Sequence, residues 1–468
     1  MLAPELAFLI FLVLTLVAAA LATRSSGFSS FSPDSILLGT GMIFSLLSAT
    51  WFDFEIFGVR LEVRSAVAAI CLVAYCVHSW RMILRSWGVL DWLVGAIWAW
   101  QVWVDGRDQG FSIALPVQAY GEWVLPYAAG RFAVLNRHAF VSLAPWFCGV
   151  AVTIAVLASV ECFTQLNPWN ILSPIDDLVY RSSEKRYGLL YRAYGPTRHP
   201  IFLAIWLMLS IPWIIGCIEM ANDRRQRWWY GGALAMVVIG IGATVSRGPL
   251  LLLLLVAGIV LAAYSRKARW ILIALACVGG IVGYMQFDTL IRAFDAGVKS
   301  NDKSQVIQVE GEAEIYNGTL NRMFVMKLYG PLVFQGGPMG YGSVATSTFP
   351  PDIPGLPASA RTRKTLGIVD NSFILVGLRL GWVGLGLFVL WLVSAMFFCL
   401  RLRRGAATYF YPLGPATLTA MACILLAVSL EMLTVYFAYD YAFLLKFHLG
   451  VVAGLVATVR LVNRGVLD

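Results

Sequence analysis

The chain has 468 residues, of which 59% are hydrophobic and 13% charged, with a mean hydropathy of +0.75. That is far more apolar than a soluble domain of any class, so a bilayer is the expected solvent and no soluble domain is left over. The net charge of +9 is then a topology signal and an attraction to anionic lipid, with no call for nucleic acid.

Apolar stretches near the roughly 20 residues that cross the hydrocarbon layer recur along nearly the whole chain. In order they are Glu5–Leu21, Ser35–Trp51, Val63–Trp80, Gly88–Val104, Gly110–Ala129, Phe140–Val160, Pro200–Met220, Trp229–Val245, Pro249–Tyr264 and Arg269–Met285. Then follow a long one from Asn371 to Leu400, Pro412–Ala438 and Tyr441–Arg460. The fold class expected is an all-α polytopic membrane protein of about 12–14 transmembrane helices. The first stretch lacks a basic n-region and a small-residue cleavage site, so it reads as a span rather than a signal peptide. No internal repeat or linker divides the chain. Residues 1–468 read as one integral membrane domain, with 161–199 and 286–370 inserted as extracytoplasmic loops.

Orientation follows from Lys and Arg, which concentrate in short cytoplasmic loops. "RRQRWW" from Arg224, "SRKAR" from Ser265, "RLRR" from Arg401, and Arg460 with Arg464 are the basic segments. Walking outward from them puts both long loops outside. Within the second, "EGEAEIYNGTLNRMFVMKLYG" starts acidic and alternates toward Ile315, Leu320, Met323, Phe324 and Leu328 before Gly330-Pro331. That suits an amphipathic helix on the membrane boundary. "GGPMGYGS" and "PPDIPGLPAS" follow as turn-rich loop. Asn317-Gly318-Thr319 matches a glycosylation sequon, a weak three-residue pattern.

Seven of the eight cysteines lie inside expected spans and Cys162 at the end of one, none in a CxxC. The four histidines are scattered as well. Neither a disulfide framework, a metal site nor a cofactor is expected.

An ionisable side chain inside a span is costly, so it is by default a functional hypothesis. Three stretches stand out on the outer boundary. "YGLLYRAYGPTRHPIF" carries Arg192, Arg198 and His199; "GATVSRGPLLLLLL" places Ser246 and Arg247 at a tight turn; "GIVDNSFILVGLRLGWVG" holds Asp370, Asn371 and Arg379. Each has a plain structural reading. Arg247 and Arg379 can snorkel, Asp370 can cap the helix after it, Arg192 and Arg198 can be solvated loop charges, and His199 beside Pro200 can be structural. Together, several guanidiniums on one membrane face suit a polyanionic ligand, because each offers a planar fork of donors that matches phosphate oxygens.

At these residues the chain resembles the bacterial O-antigen ligase and Wzy-type O-antigen/exopolysaccharide polymerase superfamily. The matching pieces are "RAYGPTRHP", "SRG" at a span end, a large loop containing Arg322, the glycine-rich "GGPMGYG", and "DNSFILVGLRLGWVGL". They span about Cys162 to Leu400. The resemblance implies a metal-independent, GT-C-like inverting glycosyltransferase at the outer face of the bacterial cytoplasmic membrane. Its substrates would be a polyprenyl-diphosphate-linked oligosaccharide donor and acceptor, with a flippase and a chain-length regulator as pathway partners.

By that resemblance Arg192 and Arg247 hold the diphosphate, supported by Arg198 or Arg322. Asp370 stands where ligases carry a His proposed as general base. This departure favours polymerisation of lipid-linked repeats over ligation, and it leaves the base assignment open, since an ionised Asp is a poor proton acceptor near neutral pH. Asn371 would orient the acceptor hydroxyl or hold the sugar, with Ser246, His199 and Arg379 as further substrate contacts. The rivals are an O-antigen ligase with a lipid or protein acceptor, and a lipid-linked saccharide flippase; the missing repeat and boundary position of the charges argue against a transporter.

Overall fold

The computed structural model describes residues 2–25, 33–56, 59–136, 138–174, 190–267, 269–271, 274, 305–309, 312–316, 318–349 and 369–466. The chain begins with α1 (Pro4–Ser25) and α2 (Pro33–Ser45), then a hairpin of β1 (Asp53–Ile56) and β2 (Val59–Glu62) in the register Asp53↔Glu62. Next come α3 (Val63–Arg85), α4 (Val89–Gln109), α5 (Ala114–Ala119), one π turn (Tyr120–Val124) and α6 (Leu125–Ala133). They are followed by α7 (Ala139–Thr164), α8 (Pro168–Leu172), α9 (Pro200–Met220), α10 (Arg224–Ala243) and α11 (Arg247–Tyr264). A second hairpin, β3 (Gln305–Val309) with β4 (Glu312–Tyr316), leads to α12 (Gly318–Gln335) and α13 (Gly342–Ala345). The chain closes with α14 (Ser372–Leu402), α15 (Ala406–Tyr409), α16 (Pro415–Glu431) and α17 (Tyr439–Asn463). This is an all-α polytopic membrane protein. Among the described residues six helices are long and apolar enough to cross a bilayer: α1, α3, α7, α9, α14 and α17. Shorter apolar helices lie in α2, α11 and α16.

Helix starts follow local chemistry. His199, Asp223 and Asn371 cap α9, α10 and α14, each side chain accepting a backbone N–H of the first turn. Such caps satisfy donors that no lipid can. At the end opposite these α9 and α14 caps, Glu219 near the C-terminus of α9 accepts Gly414 N, Ala416 N and Thr417 N at 2.8 to 3.1 Å and so caps α16. This is the lower end, and the basic segments at Arg224, Arg401–Arg404 and Arg460 lie there, while the N-termini of α9, α11, α14 and α17 define the upper end. Leu2 N donates to Leu172 O at 2.8 Å, which places the start of α1 at the upper end as well.

Packing is tightest between α6 and α17. A Cβ on Gly130 would lie 1.9 Å from Phe447 O, and one on Gly450 1.9 Å from Tyr127 O. With no water to expel between helices in lipid, association depends on such close backbone approach and on interhelical hydrogen bonds. One such set is buried at the lower end: Arg131 Nε lies 2.6 Å from Asp91 Oδ1, and its Nη2 donates to Asp91 Oδ2 and Ser86 O.

Four expectations are corrected. The stretch Gly110–Ala129 is not one helix: Pro126 has no N–H to offer the Glu122 carbonyl four residues back, a π turn forms, and Lys446 Nζ donates to that carbonyl at 2.7 Å. Ser35–Trp51 stops being α-helical at Ser45 and turns into the β1–β2 hairpin. The acidic beginning of the expected boundary helix is a strand, because Glu312–Tyr316 alternates with period two and pairs with the β-branched Gln305–Val309. The helix that follows does not end at Gly330-Pro331 but runs through Pro331 to Gln335. Most of the stretch Arg269–Met285, and residues 275–304, lie outside the described residues.

Candidate active site

The upper end is assembled from loops that are pinned one to the next. Glu161, in the last turn of α7 and 3% exposed, accepts Tyr194 N at 3.2 Å, Gly195 N at 2.9 Å and Asn167 Nδ2 at 3.1 Å. A carboxylate spent on backbone amides fixes the loop before α9. That loop meets the α10–α11 turn: Ala193 N donates to Ala243 O at 3.1 Å. Arg192 then reaches across, Nη2 to Ser246 Oγ at 3.2 Å and Nε to Thr244 O at 3.4 Å. Between them Val245 has φ +47°, an outlier for a β-branched residue. Strain of this kind persists where the surroundings over-determine the backbone, and it clusters at functional sites.

Arg247 and Gly248 open α11, and a Cβ on Gly248 would lie 2.6 Å from Glu431 Oε1. Glu431 is the last residue of α16 and is buried. The next residue joins it to α14, since Ser372 N donates to Met432 O at 2.8 Å. Ser372 Oγ also bonds Val435 O at 2.6 Å and Tyr441 Oη at 2.7 Å. Asn371 Oδ1 accepts Ile374 N at 3.0 Å, and Asp370 precedes it, half-buried. Asp370 and Glu431 both lie within electrostatic reach of Tyr441. Contacts between Arg192 and Ser246, Gly248 and Glu431, and Met432 and Ser372 thus link the segments that carry Arg192, Arg247, Glu431, Asn371 and Asp370.

Residues 202–389 match the family model described as O-antigen ligase (Wzy_C). That match is consistent with the superfamily that the sequence motifs resemble. It covers about two-fifths of the sequence, from the first turn of α9 to the middle of α14. Ser246, Arg247, Arg322, Asp370, Asn371 and Arg379 fall inside it; Arg192, Arg198 and His199 lie just before. No curated protein matches the chain. Similarity to this family over that stretch supports a membrane glycan-joining role of the ligase or polymerase type.

Other site candidates fall in different surroundings. Arg379, two turns into α14, donates Nε to Thr346 Oγ1 at 3.2 Å, with Nη2 3.5 Å from Tyr436 Oη. Arg198 turns away toward the first hairpin, Nη2 to Thr50 O at 3.1 Å and 3.4 Å from Asp53 Oδ2. His199 accepts Ile201 N through Nδ1 at 3.2 Å, the work of a helix cap. The backbone of Arg322 is in α12, but its side chain lies outside the described residues. Among the described residues no cluster of His, Cys, Asp or Glu has the make-up of a metal site.

Sequence reasoning missed Glu431 and Lys446, although each is an ionisable residue inside an expected span and the cost argument applied to Arg379 covers both. Lys446 is 1% exposed and sits over the Trp123 ring at 4.3 Å and the Phe437 ring at 5.0 Å. Ser372 and Tyr441 had no such signal, because their importance is a contact between distant parts of the chain.

Proposed function

We propose that this protein polymerises polyprenyl-diphosphate-linked oligosaccharide repeats into a surface polysaccharide at the outer face of the bacterial cytoplasmic membrane. What supports the reading is that Arg192 bonds Ser246, Gly248 lies against Glu431, and Ser372, which follows Asp370–Asn371, bonds Met432, all at the end opposite the basic loops. In the reaction an acceptor hydroxyl oxygen bonds to the anomeric carbon as the bond from that carbon to the diphosphate breaks. The electron pair leaves with the diphosphate. Negative charge grows there, and preorganised guanidiniums in a water-poor site stabilise it more than they stabilise the ground state. Arg192 and Arg247 take this role. Asp370 aligns the hydroxyl and accepts its proton late in the step, and Asn371 holds the N-terminus of α14 so that Asp370 stays in place. Attack opposite the leaving group inverts the anomeric centre.

Ser246 fits the same scheme, since its hydroxyl already engages Arg192 and keeps that fork turned toward the Arg247 turn. The family description favours a second reading, a ligase that moves the glycan to a lipid or protein acceptor.

Purified protein in lipid nanodiscs, given only polyprenyl-diphosphate-linked oligosaccharide, separates the readings. A polymerase produces a ladder of longer glycans and releases polyprenyl diphosphate. A ligase reacts only when a second acceptor is added, and a flippase only moves the intact substrate across liposomes. Asp370→Ala and Arg247→Ala are each expected to abolish the ladder at normal protein levels. Full polymer from either variant would remove that residue from the mechanism.

A further inference from the structure

Helix α14 is broken at Gly381, whose φ of +66° is in the left-handed region. The break lies nine residues, or roughly 13 Å, from the helix start. Backbone groups freed at such depth must find partners inside the protein. The glycine-rich segment after α12 supplies them: Tyr341 N donates to Leu378 O at 2.7 Å, and Trp382 N donates to Gly337 O at 3.2 Å. Trp100 of α4 donates Nε1 to Leu380 O at 2.8 Å. The two backbones touch, since a Cβ on Gly340 would lie 2.4 Å from Gly381 N and one on Gly381 would lie 2.2 Å from Pro338 O. "GGPMGYGS" is thus a loop inserted into the kink of a membrane helix.

Helix α4 grips this loop from the other side. Asp105 is 5% exposed, and its two oxygens accept Ser343 N at 2.7 Å and Ser343 Oγ at 3.0 Å. Arg107 Nη2 donates to Gly340 O at 3.4 Å. From Ser343 the chain of bonds continues: Thr346 Oγ1 donates to Ser343 O at 2.9 Å and accepts Arg379 Nε at 3.2 Å. One hydroxyl serves both bonds because it has one hydrogen and two lone pairs. The result is a relay from a buried carboxylate on α4, through the inserted loop, to an arginine two turns below Asp370.

We infer that Asp105 and Thr346 are positioning residues for Arg379, orienting its guanidinium toward the lipid-linked substrate by way of the inserted loop. This rests on the proposed function, in which Arg379 contacts that substrate. A guanidinium recognises phosphate or sugar oxygens through its fork geometry, so rotation about Nε loses the match even when the charge remains. Asp105 holds both ends of Ser343 and so fixes the carbonyl on which the Thr346 hydroxyl depends. A buried carboxylate is costly unless it is hydrogen-bonded, and this one is committed to a loop serine.

The test uses the full-length protein in nanodiscs with polyprenyl-diphosphate-linked oligosaccharide, following KM, kcat and the thermal unfolding midpoint. Thr346→Val keeps the side-chain shape and removes the hydroxyl; it is expected to raise KM roughly tenfold, the scale of one charged hydrogen bond, with kcat and unfolding midpoint little changed. Thr346→Ser restores the hydroxyl and the wild-type KM. The double variant of Thr346→Val with Arg379→Ala is expected to be no worse than Arg379→Ala alone, because both remove one interaction. Asp105→Asn moves KM in the same direction. If Thr346→Val folds poorly, Thr346→Ala replaces it with the same expectation.

An unchanged KM in Thr346→Val beside a raised KM in Arg379→Ala, or fully additive losses, would overturn the relay and leave Arg379 in the site. An unchanged KM in Arg379→Ala itself would overturn both the relay and the placing of Arg379 at the substrate.

Discussion

Two arginines within the helical core of this chain are treated in opposite ways. Arg131, on α6 at the lower end, is 1% exposed and is matched by a carboxylate: Asp91 lies 2.6 Å from its Nε and also accepts Nη2 and the Tyr127 hydroxyl. Arg379, on α14 in the upper half, is half-buried, and among the described residues its hydrogen bonds go to the hydroxyls of Thr346 and Tyr436. A guanidinium closed by a carboxylate has its charge spent inside the fold. One steered by neutral oxygens keeps its charge for something else. On the proposed function, the contrast is the one expected between an arginine that holds the fold and one that contacts substrate.

The largest effect expected from breaking this contrast is at Asp91. Asp91→Ala leaves Arg131 buried with no carboxylate, a change that costs about 3–5 kcal/mol for a buried pair. The expected outcome is a sharp drop in membrane-inserted folded protein and in its unfolding midpoint. A midpoint equal to wild type would show that Arg131 is neutralised by other groups. Next comes Gly450→Ala, whose new Cβ would lie 1.9 Å from Tyr127 O; forcing α6 and α17 apart is expected to cost on the order of 1–3 kcal/mol. It should lower the midpoint while KM stays near wild type, because the damage sits where α6 and α17 pack backbone to backbone.

Arg379→Lys sharpens the comparison from the functional side. The charge stays but the fork is lost, so activity is expected to fall roughly tenfold, equivalent to about 1.4 kcal/mol, with the unfolding midpoint unmoved. If Arg379→Lys instead lowers the midpoint as far as Asp91→Ala does, the two arginines belong to the same class and the contrast fails.

Much of this was legible from the chain alone, and the reasons differ by residue. Helices such as α9 and α17 are near-continuous apolar runs, so their composition gives them away at any register. Arg192, Arg247, Asp370 and Asn371 stand out as candidates because charge and amide groups beside a span are rare and expensive. What stayed hidden are long-range pairings. Nothing in the order of residues says that Ser372 will meet Met432 and Tyr441, that Glu431 will lie against Gly248, or that "GGPMGYGS" will fill the kink at Gly381. The π turn was decipherable in part, because Pro126 marks a missing donor, but the group that answers it, Lys446, lies 320 residues further along. The alternation of Glu312–Tyr316 also carried a strand signal that the acidic-to-apolar trend of the longer stretch masked.

The smallest expected effect concerns Arg198, which shares the "RAYGPTRHP" stretch with Arg192 yet points elsewhere. Its guanidinium already serves Thr50 O and Asp53, and Asp53 is shared with Arg60. A diphosphate would have to displace those partners before it could use the fork. The pair is partly exposed, and exposed pairs of this kind contribute roughly 0–1 kcal/mol. Arg198→Ala should therefore shift the unfolding midpoint little and leave glycan elongation within about twofold of wild type, whereas Arg192→Ala, measured beside it, should stop elongation. Equal losses in the two variants would mean that the β1–β2 hairpin releases Arg198 when substrate binds, and that the donor site extends from the Ser246 turn to the hairpin at Asp53.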